Sequence, residues 1–403
     1  MIDSPSDPTK TQSGNLFQPI FSGLLASLVG FASSFAIILQ GFDAVGATQA
    51  QAASGLFALC LGMALVGIVM SYITKMPLSI AWSTPGAALL ITTGAVQGGF
   101  PAAVGAFIVA ATLVVIAGFW RPFGRAVAAI PMPLASAMLA GILFNLCLAP
   151  VRAVAELPTL ALPIVLAWAV CLRFARIWAV PAAVAVSAVM IAVSTELPAD
   201  LFTNAWPAPV LVVPTLNLDA IIGIALPLFV VTMASQNIPG LAVLRSNGYQ
   251  PDVKPIFVST GMISAVGALL GGQLINLAAI TAALCAGPEA HPDKTKRYIA
   301  AITAGLAYIL FALGAGVAAA FISAAPPILI EAVAGLALIG ALANALVGSV
   351  VDEEFRLPAI LTFVTAASGL TLFGVGAAFW GLIVGGALHA LLKTKKGGQL
   401  GRP

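Results

Sequence analysis

From Leu16 to Leu392 apolar runs of about 17–25 residues recur along the chain, the length that crosses a bilayer core. Polar or Pro/Gly-rich breaks separate them. Cutting at the breaks gives fourteen segments, the first seven at 16–41, 47–73, 78–97, 101–119, 126–149, 159–174 and 178–195. The second seven cover 217–244, 256–270, 273–286, 297–322, 327–350, 357–373 and 375–392. Barrel strands would alternate apolar and polar residues, and these runs do not. The pattern predicts an all-α polytopic membrane protein.

One segment breaks its own rule. "SIAWSTPGAAL" (79–89) gathers Ser79, Ser83, Thr84, Pro85 and Gly86, poor helix formers, inside a predicted span. Proline suits the first turn of a helix, the residue before it prefers extended backbone, and Ser or Thr is a favoured cap. Residues 79–83 are therefore predicted to be extended, with Ser83 or Thr84 capping a half-helix that starts near Pro85.

Composition agrees with the pattern. Of 403 residues, 61% are hydrophobic and 8% charged, against roughly 25% charged in soluble domains; the mean hydropathy is +1.08. The N-terminal stretch "MIDSPSDPTKTQSGN" lacks the basic start and short apolar core of a cleaved signal peptide. Charge placement is more informative than the formal net charge of +3. With both termini in the cytoplasm, 16 of the 17 basic residues fall on the inner side and only Arg152 falls outside. That satisfies the positive-inside rule and supports an even span count. The outer loop at 196–216 carries Glu196 and Asp200 and no base. The expected location is a bacterial inner membrane, with cytoplasmic tails at 1–15 and 393–403.

Fourteen spans divide into two sevens, and an odd number per half inverts the second half. The third span of each half then corresponds: "IAWSTPGAAL" (80–89) lies over "INLAAITAAL" (275–284). Short, breaker-interrupted spans at matching positions are the sequence pointer to a transporter binding site. The counterpart is predicted extended over 274–278, with a half-helix starting near Ala279–Thr281. Two half-helix starts would offer free amides and partial positive charge, an anion site that needs no Arg or Lys. A plain proline kink at Pro85 is the competing reading.

Four stretches, "AWSTPGAAL", "SQNIPGLAVLRSNGY" (235–249), "GALLGGQLINLAAITAAL" (267–284) and "HPDKTKRY" (291–298), resemble the BenE family of benzoate:proton symporters. The resemblance runs from about Phe17 to Leu391, and more distantly the chain is similar to uracil-permease-type nucleobase transporters. It implies a core domain (16–119 and 217–322), a gate domain (120–195 and 326–392) and an elevator-like motion between them. Where the nucleobase carriers place a glutamate in the eighth span, this chain has Gln236 and Asn237, with Pro239 expected to break the helix after them. Their tenth-span glutamate is replaced by Asn276 and Thr281 among apolar residues. A carboxylate suits the N–H donors of a nucleobase and would repel benzoate.

The candidate substrate residues are therefore Ser83, Thr84, Pro85, Gly86, Gln236, Asn237, Asn276, Ala279 and Thr281. The amides could equally be helix-to-helix ties, and Ser33 and Ser34 read first as such ties. Asp43, Asp219 and Glu331 are the candidate proton carriers, since ionisable groups in spans are functional by default. For each, a solvated, cap or interface position is the alternative. The glycines of "GALLGG" and "GLALIG" read as close-packing positions, and the four cysteines as packing residues.

No HExxH, nucleophile elbow or P-loop occurs, so neither an enzyme, a metal, a cofactor nor a nucleic-acid partner is implied. The expected partners are benzoate or a similar small aromatic carboxylate, a proton and the lipid bilayer; homo-oligomerisation is left open. Import of another small ring compound, or passive anion conduction, are the alternative functions.

Overall fold

The computed structural model describes residues 16–32, 34–120, 131–195, 208–278, 280–288, 290–370, 372 and 377–399. Ser33, Ala279, Glu196, Asp200 and both tail ends, on which some expectations fall, lie outside them. The first half contains α1 (Phe17–Ala32), α2 (Phe35–Ala44), α3 (Gln49–Thr74), β1 (Ile80–Trp82), α4 (Thr84–Thr93) and α5 (Gly99–Phe119). It continues with α6 (Met132–Cys147), α7 (Ala149–Glu156), α8 (Pro158–Phe174) and α9 (Ala179–Ser194). The second half contains α10 (Leu218–Arg245), α11 (Val253–Ala268), β2 (Ile275–Leu277), α12 (Ile280–Ala286), α13 (Tyr298–Leu313) and α14 (Ala315–Ala324). It ends with α15 (Pro327–Val350), α16 (Arg356–Ala367) and α17 (Ala377–Gln399).

Among the described residues seven helical stretches are long and apolar enough to cross a membrane, and α8, α9, α11, α16 and most of α17 are shorter apolar helices. Large apolar side chains stand exposed at four-residue spacing, Leu61, Leu65 and Val69 on α3 and Leu162, Leu166, Val170 and Phe174 on α8. Such stripes on one helix face are stable against lipid, not water. The molecule is a mostly helical membrane protein.

Helices approach closely where side chains are small. A Cβ on Gly261 of α11 would lie 2.9 Å from the Ala111 carbonyl of α5, so only glycine permits that contact. Gly141 plays the same part between α6 and α16, where a Cβ would lie 2.8 Å from the Phe363 carbonyl. The "GALLGG" glycines pack closely, as expected, but past the helix end: a Cβ on Gly271 would lie 3.1 Å from the Gln51 carbonyl of α3. Helix α11 ends at Ala268, and Gly271 turns the chain toward β2 with φ of 88°, a conformation that glycine adopts without strain.

A departure concerns Pro239, expected to end the helix. Helix α10 instead runs on to Arg245, and π-turns at Ile221–Ala225 and Met233–Asn237 each stand just before a proline, Pro227 and Pro239. Proline removes an amide donor and crowds the preceding turn; a widened turn relieves both without breaking the helix.

The two interrupted segments meet. Strand β1 pairs with β2 antiparallel, Ile80 opposite Leu277, Ala81 opposite Asn276 and Trp82 opposite Ile275. Flanking bonds continue the pattern, from Ser83 N–H to the Leu274 carbonyl at 3.0 Å and from Ala278 N–H to the Ser79 carbonyl at 2.9 Å. These pairings are related by a local two-fold axis that passes between Ala81 and Asn276. It superposes 80–82 on 275–277, the register in which the two sequences align.

Candidate functional site

The site is built around this crossing. Ser83, not Thr84, is the cap of α4: its hydroxyl accepts the Gly86 amide at 3.1 Å, and its carbonyl accepts the Ala87 amide at 2.9 Å. Pro85 has no N–H, so Thr84 supplies the remaining amide of the first turn. The Ser83 hydroxyl also meets Thr232 Oγ1 on α10 at 2.7 Å. On the other arm, β2 leads into α12, which begins at Ile280, where a half-helix is expected.

Gln273, just before β2, is 1% exposed. Its Nε2 donates to the Ser83 carbonyl at 3.0 Å, while its Oε1 is buried with no partner. A Cβ on Gly86 would strike Leu228 and lie 2.8 Å from both Gln273 Oε1 and Ser83 Oγ. Glycine at position 86 therefore lets the start of α4 pack directly against Leu228 and Gln273. Asn276 is fully buried; its Nδ2 donates to the Leu277 carbonyl at 2.8 Å and its Oδ1 also lacks a partner. Thr281 shares a hydrogen bond of 2.9 Å with Ser79.

The two amides of α10 have different surroundings. Asn237 is buried: its Oδ1 accepts the Leu277 amide at 3.0 Å and its Nδ2 reaches Met233 Sδ at 3.3 Å. It is a tie between α10 and β2. Gln236 is half-buried. Asp43 and Glu331 are exposed and Asp219 is half-buried, in the first turn of α10 that Asn217 caps. No Asp or Glu is buried among the described residues. Asp43 lines a cavity of about 250 Å³ with Gln40, Gln49, Pro327 and Ile330, between the α2–α3 turn and the α14–α15 turn.

Aromatic residues that hydropathy counts as plain core form a wall beside the crossing. Trp82 donates its indole N–H to Ser34 Oγ at 2.8 Å. Phe31 stacks on Phe35 with centroids 5.2 Å apart, and lies 5.6 Å from Trp82 and 4.6 Å from Phe311. Tyr308 packs 6.4 Å from Trp82. Only glycine fits at position 30, where a Cβ would lie 2.6 Å from the Tyr308 hydroxyl and 3.3 Å from the Thr281 methyl. Sequence reasoning missed Gln273, although a lone amide in "GGQLIN" is the same signal that singled out Gln236.

On the far side of α12, the 235–249 and 291–298 stretches join. The Tyr249 hydroxyl donates to the Lys294 carbonyl at 2.8 Å. Arg297, 8% exposed, donates to the Ala286 carbonyl at the end of α12 at 2.7 Å and to the His291 carbonyl at 2.6 Å. A cation there complements the negative end of the helix. Thr295 donates its hydroxyl and amide to Asp293, holding that carboxyl below its ordinary range. Burial pushes the Tyr249 phenol up, against the opposing pull of Arg297.

The crossing thus brings together a helix start, hydroxyls, two unpartnered acceptors and an aromatic cluster. Among solved structures, the transmembrane domain of the cyanobacterial bicarbonate transporter BicA superposes with a TM-score of 0.58 at 13% identity, covering 92% of this chain and 97% of that one. The inward-facing murine Slc26a9 anion transporter gives 0.59 at 12% identity, with 94% and 68% covered. At such identities the likeness shows the fold. In sequence the chain is 39% identical over 374 residues to the inner membrane protein YdcO of Escherichia coli, covering 93% of this chain and 95% of that protein. It is 35% identical over 384 residues to the benzoate membrane transport protein of Acinetobacter baylyi, with the same coverage. The BenE model, benzoate membrane transport protein, matches residues 16–391. The chain belongs to the BenE family of membrane transporters.

Proposed function

We propose that the chain is a secondary carrier that imports benzoate or a similar small aromatic carboxylate, together with a proton, across a bacterial inner membrane. The observation that carries this reading is the antiparallel crossing of two interrupted segments beside an aromatic wall, in a chain of the benzoate transport family. The ring lies against Phe31 and its neighbours, and the carboxyl group lies at the start of α4. Thr84, Gly86, Gln236, Asn276 and Thr281 are the proposed contacts, with Asn237 holding the frame. Symport with one proton makes entry of a monoanion electroneutral. Without it, entry against an inside-negative potential costs about 2.3 kcal/mol per 100 mV.

The local two-fold at the crossing supports a seven-plus-seven inverted arrangement of fourteen spans with both termini cytoplasmic. In this arrangement the core (16–119 and 217–322) moves elevator-like against the gate (120–195 and 326–392), giving alternating access. A second reading, carriage of an uncharged ring such as a nucleobase, is favoured by the unpartnered oxygens of Gln273 and Asn276, which would accept ring N–H groups. Equilibrium binding of labelled benzoate to the purified protein separates the two. Displacement by unlabelled and substituted benzoates but not by uracil is expected, and displacement by uracil at equal concentration would overturn the benzoate reading.

A further inference from the structure

We infer that the coupled proton rides on the substrate's own carboxyl group, and that Gln273 Oε1 is the acceptor that holds it there. The inference rests on reading the chain as a carrier of a small aromatic carboxylate, and it settles which form of that substrate the site binds.

Two independent observations meet at one point. The first is the start of α4, a ten-residue helix whose opening turn presents the positive end of its dipole. The second is the Gln273 side chain, 1% exposed, with Oε1 unpartnered and 2.8 Å from the Cβ position of Gly86 in that turn. The amide cannot be reversed to cure the defect. Its Nε2 already donates to the Ser83 carbonyl at 3.0 Å, and a flip would set oxygen against oxygen. An unsatisfied buried acceptor is destabilising, and it persists where a ligand completes it.

A carboxylate has two acceptor oxygens and no donor. Set between the Thr84 amide of α4 and Gln273, it satisfies the amide and repels the glutamine oxygen. A carboxylic acid has one acceptor and one donor, and it satisfies both. The proton comes from the outer aqueous phase, binds one carboxylate oxygen, and is donated as O–H to Gln273 Oε1; on the inner side the acid dissociates and the proton leaves. No protein carboxylate is needed, which accords with the absence of any buried Asp or Glu among the described residues. The side chains around this point, Ser83 on the β1–α4 junction and Leu228 and Thr232 on α10, do not titrate.

The test is a ligand series on the intact wild-type protein in nanodiscs, with affinities read from about pH 5 to about pH 8, with and without sodium. Above the acid's own pKa, the apparent Kd for total benzoate should rise about tenfold per pH unit. Benzamide, uncharged and carrying an N–H donor in place of the O–H, should bind with an affinity that does not change with pH. Benzenesulfonate, charged throughout, should not compete. Gln273→Leu should weaken benzamide at every pH. Benzenesulfonate competing as well as benzoate, a pH-independent benzoate affinity, or a requirement for sodium would overturn the inference and leave the benzoate reading standing. Failure of benzoate and benzamide alike to bind at any pH would take down both.

Discussion

Asn237 Oδ1 accepts the backbone amide of Leu277 at 3.0 Å, joining the second π-turn of α10 to the middle of the β1–β2 crossing. The two residues are forty positions apart, and the bond fixes the depth at which β2 sits against α10. Asn237→Ala leaves a buried N–H without an acceptor, at a cost of about 1–3 kcal/mol. The expected outcome is a lower midpoint in thermal unfolding and less folded protein in the membrane. Gln236→Ala should weaken benzoate binding roughly two- to tenfold, the worth of one neutral hydrogen bond of about 0.5–1.5 kcal/mol. The opposite split would exchange the roles of the two amides.

Gly86 tests the start of α4. Gly86→Ala pushes a methyl group into Leu228 and against Gln273 Oε1, displacing the acceptor proposed for the carboxyl group. Benzoate binding should be lost while the protein still inserts and keeps its helicity by circular dichroism. Pro85→Ala should do less, because the Ser83 amide is held by the Leu274 carbonyl and resists backward extension of the helix. Normal uptake by Gly86→Ala would place the carboxyl group elsewhere.

The aromatic wall gives a third expectation. Phe31 touches Phe35, Trp82 and Phe311, and ring contacts of this kind contribute about 0.5–1.5 kcal/mol each. Phe31→Leu should raise the KM for benzoate roughly two- to tenfold and leave maximal uptake largely unchanged. An unchanged KM would make the cluster core packing alone.

Much of this arrangement is legible in the sequence because its signals are local. Ser83, Pro85 and Gly86 announce a helix start on their own, and hydropathy locates most of the helices, though it leaves α7 between spans and reads α13 and α14 as one. What stays hidden is pairing between distant positions. Asn237 reads as a substrate ligand until its bond to Leu277 is seen. Trp82 and Phe31 are indistinguishable from lipid-facing aromatics by hydropathy. Pro239 reads as a break because sequence does not reveal that a π-turn absorbs it. Arg297 looks like one more inner-loop charge, yet it caps α12 through the Ala286 carbonyl.

Topology supplies a fourth expectation. Lys294 and Lys296 sit in the short loop latched by Arg297 and Tyr249, and Lys294 is exposed. A single cysteine at position 294 in a cysteine-free background should resist an impermeant thiol reagent in intact cells and react once the membrane is opened. Labelling from outside would overturn the cytoplasmic placement and with it the span count.

Uptake of labelled benzoate into proteoliposomes under an imposed pH gradient shows whether the protein carries an aromatic carboxylate uphill, driven by protons. With the lumen alkaline, benzoate should accumulate above its external concentration and above protein-free liposomes. The excess should vanish with an uncoupler and be reduced in the Gly86→Ala variant. Protein-dependent uptake that only equilibrates benzoate, and that follows an imposed membrane potential instead of the pH gradient, would identify a passive anion pathway and contradict the account.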